Sequence, residues 1–109
     1  MMKTDSKKKE GISTRIYIDD HGYLKKKAFK SRSTIIDTLS NIINSMKSEI
    51  DDICIPQYER SKTKVKTKSV LIHVEDHDFL REVAFQRDSK IIEVVKILIA
   101  EYKKRENDQ

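Results

Sequence analysis

The sequence predicts a mainly α fold with a short antiparallel two-stranded β-ribbon, formed by two similar strand–helix–helix units that pair within one chain. Three observations lead there. Moved against itself by 56 positions, the chain aligns residues 13–48 with 69–104 without a gap, and 12 of the 36 positions are identical, so one local structure is used twice. Within each unit an alternation of period two gives way to a helical period. Only two Gly and one Pro in 109 residues are too few turn residues for a sandwich or barrel.

Each element follows from its pattern. Ser13, Arg15 and Tyr17 alternate with Thr14, Ile16 and Ile18, and Ser69, Leu71 and His73 alternate with Val70, Ile72 and Val74. Both segments read as strands with one apolar face. The acidic pairs Asp19-Asp20 and Glu75-Asp76 then read as caps for a helix, because carboxylates accept its free N–H groups and meet its positive end. Leu24 and Ala28, then Leu80, Val83 and Ala84, give that first helix a narrow buried edge. A polar break follows in each unit, with Thr34 and Asp37 at the spacing of a capping box. The second helices hold the wide stripes Ile35, Thr38, Leu39, Ile42, Ile43, Met46 and Ile91, Val94, Val95, Leu98, Ile99, Tyr102. In the first unit the stripe is expected to run on through Ile50 and Ile53 until Pro56 stops it.

A unit of this size cannot bury its own apolar face, and a lone strand leaves its backbone groups unpaired. The two strands are therefore expected to pair with each other. The organisation is a disordered basic tail (1–12), a first unit (13–53), a basic linker (54–68) and a second unit (69–105), the two units forming one folded domain. The linker, if extended, spans up to ~50 Å, enough for pairing within one chain.

Composition narrows the chemistry. The 23 Lys+Arg outnumber the 18 Asp+Glu by five, which favours a polyanionic partner. The positive charge sits before each strand: residues 1–32 carry net +6 and residues 61–74 net +4, against −3 for 33–60 and −2 for 75–109. The single Cys54 forms no internal disulfide, which suits a reducing compartment. No stretch approaches the ~20 apolar residues of a membrane span, and the Lys-rich opening is not followed by the apolar block of a secretory signal; a soluble, cytoplasmic protein is expected. His21 and His77 recur beside the acids, but no further Cys or His completes a ligand set, so neither a metal site nor a cofactor is expected. No P-loop, nucleophile elbow or zinc-hydrolase spacing occurs, and no enzyme is expected.

The strand, the helix with its Leu-x-x-x-Ala edge, the polar turn and the longer Ile/Val-rich helix resemble the ribbon-helix-helix DNA-binding family, over about two thirds of the chain. Leu80-x-x-Val83-Ala84 with Val94-Val95-x-x-Leu98-Ile99-x-x-Tyr102 lies close to the family's helix pattern. The chain lacks the Gly frequent in the family's turn and carries the apolar Leu71 at a strand position usually polar. The resemblance implies a ribbon laid in the major groove of double-stranded DNA, with two copies of the unit fused in tandem as an intrachain pseudo-dimer.

Alternation then puts Ser13, Arg15, Tyr17, Ser69, Leu71 and His73 on the reading face, where Arg15 suits guanine O6 and N7 and Leu71 a thymine methyl. Lys7, Lys8 and Lys9 of the tail, with Lys62, Lys64, Lys66 and Lys68 of the linker, are the expected phosphate contacts. Free N–H groups at the second helices add Ser33, Thr34, Ser89 and Lys90 by resemblance. The expected role is a transcriptional repressor or a plasmid copy-control, partition or transfer factor, nucleoid- or plasmid-associated, with self-association of neighbouring copies through exposed Ile50, Ile53 and Ile55. A lesser expectation is an antitoxin or similar interaction protein that sequesters a protein partner; only five residues (105–109) follow the last helix, whereas such proteins usually carry a long C-terminal arm.

Overall fold

The computed structural model describes residues 11–56 and 66–107. The strand β1 (Gly11–Tyr17) leads into α1 (Ile18–Ser31) and α2 (Ile35–Met46), and a 3-10 helix (Lys47–Asp52) closes the first half. In the second half β2 (Thr67–His73) leads into α3 (Val74–Gln86) and α4 (Ile91–Asn107). Among the described residues the fold is mainly helical with one two-stranded antiparallel sheet, β1 against β2.

The register carries the symmetry of the repeat. Ser13 faces Leu71, Thr14 faces Val70 and Arg15 faces Ser69. Moving each residue to its equivalent in the other half turns the first of these pairs into the third and leaves the central pair on itself. A local two-fold axis thus passes between Thr14 and Val70. Both strands start two residues earlier than expected, at Gly11 and Thr67, because this register sets Gly11 opposite His73 and Tyr17 opposite Thr67, and each strand end needs the other's start to satisfy its backbone.

The ribbon's inner face and all four helices share one core. Ile16, Ile72, Leu24, Leu80 and the residues 39, 42, 43, 94, 95, 98 and 99 of the long stripes are almost fully buried. Each long helix packs on the strand of the opposite half, α2 on β2 and α4 on β1, and the two long helices meet each other. The halves are therefore interleaved.

Three expectations are corrected. The first helices begin at Ile18 and Val74, their N-cap residues Tyr17 and His73 are extended, and neither cap has a side-chain hydrogen bond. The acids fall inside the first turn, where Asp20 and Asp76 are buried; they meet the helix dipole rather than cap it. The first half's stripe does not continue as α-helix to Pro56: α2 ends at Met46 and the 3-10 turn bends the chain so that Ile53 and Ile55 join the core and Ile50 packs against it. These isoleucines are consequently not an exposed surface for a neighbouring copy.

Both helix–helix turns have one form. The Ser33 N–H donates to the Ala28 carbonyl at 2.9 Å and the Ser89 N–H to Ala84 at 2.8 Å, and each turn holds one left-handed residue, Arg32 (φ 56°) and Asp88 (φ 55°). This is the Schellman closure that usually recruits glycine. Here the turn survives without it.

Candidate nucleic-acid interface

The outer face of the ribbon carries Ser13, Arg15, Ser69 and Leu71, all exposed. Leu71 is 56% exposed, a large apolar side chain that the strand displays because Ile72 and Val70 take the core positions on either side of it. Arg15 lies along the surface, its guanidinium donating to the Thr67 hydroxyl at 3.4 Å. The local two-fold relates Arg15 to Leu71 and Ser13 to Ser69. A charged fork on one strand and an apolar branch on the other make the face chemically unequal across its axis.

Tyr17 and His73 take another place. Each is half-buried at the end of its strand and turns to an acid at the start of the opposite half's long helix. The Tyr17 hydroxyl donates to Glu93 of α4, and the His73 imidazole Nε2 lies 3.5 Å from an Asp37 carboxylate oxygen of α2. Tyr17 also lies under the Lys96 ammonium, 5.4 Å from the ring centre. Tyr17 and Glu93 are the repeat equivalents of His73 and Asp37, so one tie is made twice, crosswise. A second crosswise pair sits further along: Lys103 over the Tyr23 ring at 4.8 Å and Lys47 over the Phe79 ring at 5.3 Å. Period two put Tyr17 and His73 on the reading face with the other four; it carried no information about a helix from the other half closing over the strand ends.

Positive charge borders the ribbon. Lys66 and Lys68 are exposed, and the Lys66 carbonyl accepts from the Ile18 N–H at 3.1 Å, which prolongs the ladder and holds this end of the linker beside the ribbon. The charge of Lys68 is felt locally: burial, then Lys68 and Lys25, hold the His21 imidazole below its ordinary pKa. Lys25 was not among the residues expected from the sequence. Lys7, Lys8, Lys9, Lys62 and Lys64 lie outside the described residues.

At the α2 start the Thr34 hydroxyl accepts from the Asp37 N–H at 3.1 Å, so it is committed as a cap. The reciprocal half of the capping box is missing because the Asp37 carboxylate faces His73 instead. Ser33 shares contacts of 3.2 Å with Ser31 and with Thr38. At the α4 start Ser89 is half-buried and Lys90 exposed, and the Lys90 carbonyl accepts from the Glu93 and Val94 N–H groups. These four belong to the turns that precede α2 and α4, not to the strands. Among the described residues no group of His, Cys, Asp or Glu is placed to hold a metal ion, and no helix is long and apolar enough to cross a membrane.

No family model, no curated protein and no solved structure matches this chain.

Proposed function

We propose that the chain is a ribbon-helix-helix protein in tandem form, an intrachain pseudo-dimer that binds double-stranded DNA sequence-specifically with its ribbon in the major groove, as a repressor or as a plasmid copy-control, partition or transfer factor. The observation that carries this reading is the antiparallel pairing of β1 with β2, which gives one ribbon an exposed face holding Arg15 and Leu71. Two strands ~5 Å apart fit a groove about 12 Å wide that offers a distinct donor and acceptor pattern for every base pair. Arg15 supplies a bidentate donor for guanine, Ser13 and Ser69 supply hydroxyls and Leu71 supplies a surface for a thymine methyl. Tyr17 and His73, tied to Glu93 and Asp37, support the ribbon ends rather than read bases. Lys66 and Lys68 contribute phosphate contacts and hence salt dependence. Because the two strands present different side chains, the preferred site is expected to be non-palindromic.

Selection of bound duplexes from a random pool, followed by titration, tests the proposal. Arg15→Ala should cost about 1–3 kcal/mol against the preferred site and relax the choice at one base position. Lys66→Ala with Lys68→Ala should weaken all sequences alike and flatten the salt slope. Failure of the wild-type chain to enrich any duplex, or an unchanged preference in Arg15→Ala, would overturn the assigned reading face.

A further inference from the structure

Phe29 and Phe85 are repeat equivalents, and each is 85% exposed, near the end of α1 and α3 respectively. A lone exposed aromatic is ordinary on a surface; the same large apolar residue displayed at the same point of both halves is a repeated feature that the core does not account for. Each lies in an open groove along its helix. The α1 groove, of 780 Å³, is lined by Gly22, Lys25, Lys26 and Lys30 among others, and the α3 groove, of 610 Å³, by Asp78, Arg81, Glu82 and Gln86. Residue by residue these positions correspond. The frame around the phenylalanine is retained while its net charge changes sign: Lys25 keeps its charge as Arg81, but Gly22 is replaced by Asp78, Lys26 by Glu82, Lys30 by Gln86 and, in the adjoining turn, Arg32 by Asp88.

The α1 surface thus presents a phenylalanine among Lys25, Lys26, Lys30 and Arg32. Lys27 is turned aside into the Glu106 carboxylate. The α3 surface presents a phenylalanine among Asp78, Glu82 and Asp88, and Asp78 lies 3.9 Å from Arg81. The local two-fold that relates β1 to β2 carries one helix onto the other, so the two surfaces lie on opposite flanks of the ribbon. A face pressed against its own kind sets lysine against lysine or acid against acid. A face pressed against the other kind, on a second molecule, pairs the charges and covers both rings.

We infer that a second copy of this chain docks its α3 surface on the α1 surface of the first, Phe85 against Phe29 and Glu82 beside Lys26. The contact is head-to-tail: after docking, each end of the pair still offers one unused surface, so the association is open-ended rather than closed. Its small extent suits a weak, reversible contact that neighbouring copies strengthen when held side by side. This inference does not depend on DNA binding.

Sedimentation of the full chain without DNA reads it directly. The wild-type chain should form dimers and then trimers as concentration rises, with less association at high salt. Phe29→Ala and Phe85→Ala touch no core position, so circular dichroism should show both folded, and each alone should sediment as a monomer. Their equimolar mixture should form a dimer and stop there, because each variant keeps one working surface. Lys26→Glu or Glu82→Lys should weaken association by roughly tenfold or more, and the double exchange should restore it. A wild-type chain that stays monomeric throughout, a Phe85→Ala variant that associates like wild type, or a mixture that fails to pair would each overturn the inference. A Phe29→Ala variant that loses DNA affinity while self-associating normally would assign the α1 surface to DNA and overturn it equally.

Discussion

Tyr17–Glu93 and His73–Asp37 occupy the same place in the two halves and use different chemistry. Each joins the last residue of a strand to the first turn of the opposite long helix. A phenol donates to a carboxylate in any ionisation state of the neutral range; an imidazole forms an ion pair with a carboxylate only when it carries its second proton. What was retained through the divergence of the halves is the geometry of the crossing, and what changed is the group that makes it. The same holds for the lysines over Tyr23 and Phe79.

Breaking the shared part should have the largest effect. Ile16 and Ile72 are equivalents, 0% and 1% exposed, so Ile16→Ala and Ile72→Ala should each cost about 2–5 kcal/mol, checked by chemical unfolding. Near-equal costs would mean the halves remain mechanically alike, and a large inequality would show that one half dominates the core. Removing the ties should separate the halves instead. Tyr17→Phe should cost about 1 kcal/mol. His73→Gln should cost a few tenths of a kcal/mol, since the Asp37 carboxylate is exposed.

Asp20 sharpens the comparison from below. Burial raises its pKa above the ordinary carboxylate value, against the opposing pull of Lys103 and Lys96. The folded chain therefore holds the proton more firmly than the unfolded chain does, and stability falls as pH rises through the carboxylate range. Asp20→Asn should accordingly raise the melting temperature at pH 7, with the gain shrinking as the solution is acidified past that range. The turns offer one more comparison between the halves. Arg32→Gly and Asp88→Gly relieve a left-handed residue and should stabilise by up to about 1 kcal/mol, with the larger gain at Arg32 because Asp tolerates this conformation better.

Much of the fold was legible because it is periodic. Alternation assigned Ile16, Val70 and Ile72 inward and Arg15 and Leu71 outward, and the helical period found the buried stripes of α2 and α4 almost residue for residue; it also put Ile18 inward, but the strand ends at Tyr17 and Ile18 opens α1 with 44% of its surface exposed. What escaped depends on contacts between halves. Nothing local distinguishes Tyr17, which ends under α4, from Arg15, two residues earlier and open to solvent. Ile50 and Ile53 look like a stripe running past its helix, and only the 3-10 turn shows them folding back, with Arg87 donating to the Ile50 and Ile53 carbonyls at 3.1 and 3.2 Å. Nothing in the turn sequences, which lack glycine, spells out their geometry; the backbone bonds from Ser33 and Ser89 hold one closure around Arg and Asp. Of the six residues expected to read bases, four share the open outer face. The change in net charge between α1 and α3 was already written in the repeat, but it acquires meaning only once both phenylalanines are seen to stand outside the core.

Because β1 finds its partner in β2, some fifty residues further along, the first half has no sheet to join while it leaves the ribosome. Ile16 and the inward stripe of α2 stay without their cover until β2 and α4 have been synthesised. Folding of the nascent chain is thus deferred to a late, concerted step, and the interval before it is when chaperones or aggregation have their chance to act.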